Sequence, residues 1–226
     1  MWVRRPSNAP FSLSRKAWRF GAVAALVGLV AGCSNDGKDK DSEDDALCGG
    51  VISTASERAL EKMAGESSLE SIVPSDSESG RDLKKESQGW KSDPNPEISN
   101  SRWTCSVDPS GDRHKRIVLF AGWSKLQTES IAKLIEKGSD KYTKVSPEVF
   151  IVPRGKEFAN DSTVYFSCEL QTEGSRAVRH TLTAGVTDTV RSKGTQADAN
   201  QITLSVARWM ADEVDCVNAA DLPASA

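Results

Sequence analysis

Trp103-Thr-Cys105-Ser-Val107-Asp-Pro-Ser-Gly111-Asp-Arg113-His-Lys-Arg116-Ile-Val-Leu119-Phe-Ala121-Gly122-Trp123 returns 63 residues later as Phe166-Ser-Cys168-Glu-Leu170-Gln-Thr-Glu-Gly174-Ser-Arg176-Ala-Val-Arg179-His-Thr-Leu182-Thr-Ala184-Gly185-Val186. Seven of the 21 ungapped positions are identical, where average composition would give about one or two. The pattern marks an internal duplication. In each copy the apolar residues alternate, Trp103, Cys105 and Val107 in the first and Phe166, Cys168 and Leu170 in the second, which predicts a strand with one inward face. A glycine-bearing turn then leads into a second apolar run, so each copy reads as a β-hairpin, one near 102–124 and one near 163–187.

Helical patterns flank the hairpins. Thr54 and Glu57 are spaced as a capping box, Ala59, Leu60 and Met63 form an apolar face and Gly65 stands as a stop, predicting a helix over 54–64. Residues 66–100 are rich in Ser, Glu, Asp, Gly and Pro with scattered apolar anchors and read mostly as loop. Thr128 to Lys137 carries Ile131, Leu134 and Ile135 before Gly138. A last helix is expected over about 200–214, where Ile202, Val206, Met210 and Val214 recur every four residues. Val149-Phe-Ile-Val152, ended by Pro153, reads as one more strand. The expected architecture is α+β: an antiparallel sheet built from the two duplicated hairpins, with helices packed on one face and disulfides bracing it. The domain should span 47–218, with 219–226 as a disordered tail.

The N-terminus is of another kind. Arg4, Arg5, Arg15, Lys16 and Arg19 precede an uncharged run from Phe20 to Gly32, the layout of a positive n-region and an apolar h-region. As a helix this run covers about 20 Å, short of a hydrocarbon core of about 30 Å. It ends in Leu29-Val30-Ala31-Gly32-Cys33, which resembles the lipobox of bacterial lipoproteins. The resemblance implies that residues 1–32 are a removed signal peptide and that Cys33 is the acylated N-terminus. The chain would then sit on the extracytoplasmic face of the cell membrane, held by lipid. Ser14-Arg15-Lys16-Ala17-Trp18 also resembles a twin-arginine signal, from which Lys16 departs, so both export routes stay open.

Without residues 1–32 the chain keeps 194 residues, enough for one domain, and 24 of its 29 basic residues against all 32 acidic ones. The resulting charge of −8 disfavours nucleic acid as a partner. Residues 33–46 hold the lipidated cysteine and an acidic linker, Ser34-Asn-Asp-Gly-Lys-Asp-Lys-Asp-Ser-Glu-Asp-Asp-Ala46, with nothing to build a core. It lacks the glycine and terminal glutamate of an EF-hand loop.

Four further cysteines remain, Cys48, Cys105, Cys168 and Cys216, an even number suited to an oxidising compartment. Of three possible pairings, Cys48 with Cys105 and Cys168 with Cys216 is favoured. It ties the segment before the first helix and the segment after the last to equivalent inward positions of the two hairpins. No Cys-x-x-Cys pair or neighbouring histidine suggests a metal site, and no cofactor motif is present. Neither His114, in the basic turn Arg113-His114-Lys115-Arg116, nor His180, on an inward strand parity, brings a recognisable catalytic partner. The matched arginines Arg113, Arg116, Arg176 and Arg179 make the two hairpin tips a candidate surface for an anionic envelope component or a protein partner. The whole layout is similar to uncharacterised lipoproteins of actinobacteria, through its lipobox, acidic tether, early Cys-Gly-Gly, Trp-x-Cys strand and terminal helix ending in cysteine. The resemblance bears on location and architecture only; with no catalytic motif found, the expected function is a ligand- or partner-binding, non-enzymatic envelope protein, and the alternative is an anchored hydrolase with an unrecognised carboxylate site.

Overall fold

The computed structural model describes residues 47–73, 82–86, 101–109, 115–153, 155, 162–171, 177–188 and 193–225. A 3-10 turn, Leu47–Gly50, leads into α1, Thr54–Ala64. The strands are β1, Leu69–Ile72, β2, Ser101–Pro109, β3, Ile117–Ser124, β4, Thr143–Ser146, β5, Val149–Val152, β6, Ser162–Gln171, and β7, Ala177–Asp188. Helical residues 82–86 form α2, Thr128–Glu136 form α3, and Gln196–Glu213 form α4. The strands make one antiparallel sheet in the order β1-β2-β3-β7-β6-β5-β4.

The duplication explains the centre of that order. β2 with β3 and β6 with β7 are the two repeated hairpins, and they meet where β3 pairs with β7. In that pairing Ala121 lies opposite Ala184, its own counterpart 63 residues on. A local twofold axis therefore passes through the sheet between these two alanines, and the hairpins are related by it. The hairpins differ inside. Cys168 stands opposite His180, whereas Cys105 stands opposite Leu119, so the first hairpin is slipped by two residues relative to the repeat. An even slip keeps every side chain on its face.

One sequence expectation fails at a bulge. Trp103 does not share a face with Cys105 and Val107: the register breaks between Trp103 and Cys105, leaving Thr104 as the extra residue. The Thr104 hydroxyl donates to the Leu119 carbonyl at 3.0 Å, which compensates part of the disrupted ladder. Trp103 is thereby turned beside Phe120, on the opposite side of the sheet, and is 40% exposed.

The main core lies on the face that carries Leu119, Ala121, Leu182, Ala184, Phe166 and Cys168. α4 lies against it. Thr203, mid-helix, donates through its hydroxyl to the Ser162 carbonyl at 3.3 Å, and the small residues Ala199, Thr203 and Ala207 form a buried row that permits close approach to the strands. α1 packs on α4 through small polar contacts: Ser205 Oγ accepts the Ser53 N–H at 2.9 Å, and Ser56 Oγ donates to the Gln201 carbonyl at 3.3 Å. α2 joins the same side, where Trp123 Nε1 donates to the Leu83 carbonyl.

α3 departs from the expected single helical layer. Phe150 and Val152 alternate with Val149 and Ile151 on β5, and it is Phe150 and Val152 that cluster with Ile131 of α3 and with Tyr142. Helices therefore cover both faces, α1, α2 and α4 on one and α3 on the other.

Several boundaries also move. The cap of α1 is Ser53, whose side chain accepts the Ser56 N–H, one residue before the expected box; Gly65 stops the helix in the left-handed conformation as expected. α4 begins four residues early, because Thr195 and Asp198 complete a capping box. β1 falls inside the stretch read as loop. The C-terminal segment is not a free tail, since Ala219–Asp221 form a 3-10 turn and Leu222 is buried in the main core. The linker and signal residues 1–46 lie outside the described residues. Among the described residues no helix is long and apolar enough to cross a membrane.

Candidate functional site

The four cysteines form the two favoured bridges, Cys48–Cys105 and Cys168–Cys216, with Cα separations of 5.6 and 5.4 Å. All four sulfurs are buried on the side of the sheet that carries α1 and α4. In the chain-entropy picture, loops closed by bridges 57 and 48 residues apart are each worth about 4 kcal/mol. One bridge fixes the approach to α1 and the other the exit from α4.

Of the four candidate arginines, Arg116 and Arg179 are described, and they do not come together. Arg113 and Arg176 lie outside the described residues, as do Cys33 and His114. Arg116 makes a two-pronged ion pair with Asp108, Nε to Oδ1 at 2.8 Å and Nη2 to Oδ2 at 2.9 Å, and Asp108 is 2% exposed. The hydrogen bond to Asp108 raises the Arg116 pKa further. Arg179 reaches Glu148 at 2.8 Å and Glu169 at 3.3 Å. Each described arginine thus fastens its own hairpin. The twofold relation also sends Arg116 and Arg179 to opposite ends of the β3–β7 pair, ten positions and about 33 Å apart at the rise of an extended strand. They belong to two separate surfaces.

His180 points into the main core, 5% exposed, with its ring edge-on to Trp123 at 6.2 Å. Burial pushes its pKa below the ordinary histidine value, so the ring is neutral at physiological pH. It occupies the position that Ile117 holds in the first copy, a core position on either count. Among the described residues no three His, Cys, Asp or Glu side chains are grouped to hold a metal ion.

A cleft of about 330 Å³ opens between the β4–β5 edge and the first turn of α4, lined by Thr143, Lys144, Val145, Ile151, Pro153, Gln196 and Asn200. Its floor is apolar, from Val145, Ile151 and Pro153. Its rim is polar and organised: Asn200 Oδ1 accepts from Gln196 Nε2 at 2.7 Å and from Ser162 Oγ at 3.3 Å. Those two bonds fix the carboxamide and leave its NH2 group as a donor. Lys144 makes no ion pair among the described residues, and β4 pairs only with β5 there. The volume is at the lower end of the range for small-ligand pockets. The sequence reading did not single out these residues. They are drawn from 143–153 and 196–200, and neither segment carries a spacing that would announce a site. Comparison with known proteins finds no matching family model, no similar curated sequence and no similar solved structure.

Proposed function

We propose that the chain is an exported envelope lipoprotein, acylated at Cys33, whose disulfide-braced domain binds a ligand or partner outside the cytoplasmic membrane. The observation that carries this reading is the pair of buried bridges, because such bonds persist where the compartment is oxidising. The n-region, the short apolar run and the Leu-Val-Ala-Gly-Cys end of the leader agree with that compartment. The binding reading is supported by the cleft, whose lining combines apolar side chains with two carboxamides and a hydroxyl.

The test is fractionation of cells that make the wild-type chain or Cys33→Ala. The wild-type chain is expected in the membrane fraction, shortened by 32 residues and heavier by a diacylglyceryl group. Cys33→Ala should keep its leader or appear in the soluble exported fraction. A variant that is still cut before position 33 and still carries lipid would overturn the assignment.

A further inference from the structure

We propose that the surface around α3 and the β4 edge docks on anionic lipid headgroups, so that the domain lies with its α3 side on the membrane that holds its lipid. This docking rests on the lipoprotein reading above and gives it an orientation and a partner.

The charge is laid out unevenly. Residues 125–144 hold five lysines against three acidic residues, on a chain that without its leader carries a charge of −8. Lys125, Lys133, Lys137 and Lys144 are exposed and make no ion pair among the described residues, whereas Lys62, Lys84, Arg102, Arg116 and Arg179 each reach a carboxylate of the domain.

The fold gathers these lysines on one side. Ile131 turns α3 toward Phe150 and Val152 of β5. At about 100° per residue, Lys133 and Lys137 then face away from the sheet with Leu134 beside them, and Glu129 and Glu136 fall on the other flank. Lys144 stands opposite Phe150 in the β4–β5 pair, so it projects from the edge strand on the α3 side. Lys141 lies over the Tyr142 ring, 5.3 Å from its centroid, and Tyr142 packs with Ile131. The lysines thus surround the C-terminal half of α3, where Leu134 is 39% exposed. An anionic bilayer surface accepts both kinds of group, ammoniums at the phosphates and an aliphatic side chain between the headgroups.

The reach is sufficient. Leu47 stands 14 residues beyond Cys33, an extended span of up to about 46 Å, against roughly 30 Å across a sheet with a helical layer on each face. Anchoring also makes the contact intramolecular, so a weak surface affinity is enough to populate it.

Hydrogen exchange on the acylated chain in nanodiscs tests this, comparing discs of phosphatidylcholine alone with discs in which about one lipid in three is phosphatidylglycerol. Each lysine brought to an anionic surface favours the docked state by about fivefold, so amides of 128–146 should exchange at least about fivefold more slowly on the anionic discs. The α1 amides should not change, and about 1 M salt should erase the difference. Lys133→Glu combined with Lys137→Glu should restore the rate seen on neutral discs at an unchanged melting temperature; Arg58→Glu, exposed on α1 across the sheet, should not. The mass of the same sample separates the two readings. An unacylated chain removes the anchor and this docking with it. An acylated chain whose α3 exchanges equally on both discs, or whose lysine and arginine variants behave alike, removes the docking alone. Slowing of α3 by an acidic envelope protein on neutral discs, with none from phosphatidylglycerol, would assign the surface to a protein and overturn the proposal.

Discussion

Ala121 faces Ala184 across the centre of the sheet, each residue paired with its own copy. The axis between them fixes what the duplication can and cannot build. It sets two equivalent hairpins side by side with their inward cysteines on one face, and it carries Arg116 and Arg179 to opposite ends of the β3–β7 pair. These two arginines therefore do not share one surface.

Close approach at this axis makes the first prediction. One step along the same pair, Phe120 stands opposite Gly185, and a Cβ at Gly185 would run into the Phe120 ring and the Ser162 carbonyl. Gly185→Ala should destabilise the domain by about 1–3 kcal/mol, because the second obstacle is backbone and cannot swing aside. Urea unfolding measures it; an unchanged midpoint would show that the strands separate without cost.

Asn218 acts as a piece of strand. Its Nδ2 donates to the Ser167 carbonyl and its Oδ1 accepts the Glu169 N–H, both at 2.8 Å, while the Val217 N–H donates to the Glu169 carbonyl at 2.8 Å. The segment after Cys216 thus closes the edge of β6 where β5 has ended. Asn218→Ala should cost about 1–3 kcal/mol and speed amide exchange at Glu169. Exchange at Glu169 no faster than in wild type would contradict this role.

The two described arginines of the repeat should behave unequally. Arg116 compensates the buried carboxylate of Asp108, whereas Arg179 joins partly exposed Glu148 and Glu169. Arg116→Ala should lower the unfolding midpoint clearly and Arg179→Ala hardly at all, since a two-pronged ion pair to a buried carboxylate weighs more than pairs between partly exposed groups. Equal midpoints for the two variants would refute the distinction.

His180 gives the domain a pH dependence of definite sign. Its pKa is lowered by burial in the folded state, so the unfolded chain binds more protons as pH falls through the ordinary histidine range near 6.5. The contribution is complete above that value and is lost toward acid. Thermal unfolding scanned from pH 7.5 to about pH 5 should show a falling midpoint whose slope in that window shrinks in His180→Phe. A slope unaltered by the substitution would assign the effect elsewhere.

Much of the fold could be read before the structure because period-two alternation and cysteine parity are local signals. Val107, Leu119, Leu170 and Leu182 announced their faces, and Cys105 and Cys168 announced theirs. The bulge at Thr104 could not be read, since one inserted residue leaves the composition of a strand unchanged while turning Trp103 over. β1 and β4 have four residues each and lie at the edges, too short to show a pattern. The amphipathic stripe of α3 says that one side is apolar and is silent about which face of the sheet it covers. The start of α4 was missed because its box uses Asp198 where Glu or Gln is the commoner partner, and its row of small residues resembles a solvated surface. The cleft escaped because it arises only when Ile151 and Asn200 are brought together by the sheet order.

Finally, the bridges decide how the domain answers tension. A pull applied from the N-terminal side reaches Cys48 and passes through sulfur directly to β2, and a pull at the far end passes from Cys216 to β6. Neither α1 nor α4 can be peeled away by such a load, and of the chain between Cys48 and Cys216 only the segment between Cys105 and Cys168 can pay out. Force spectroscopy on the oxidised domain would find a short leash around a stiff middle.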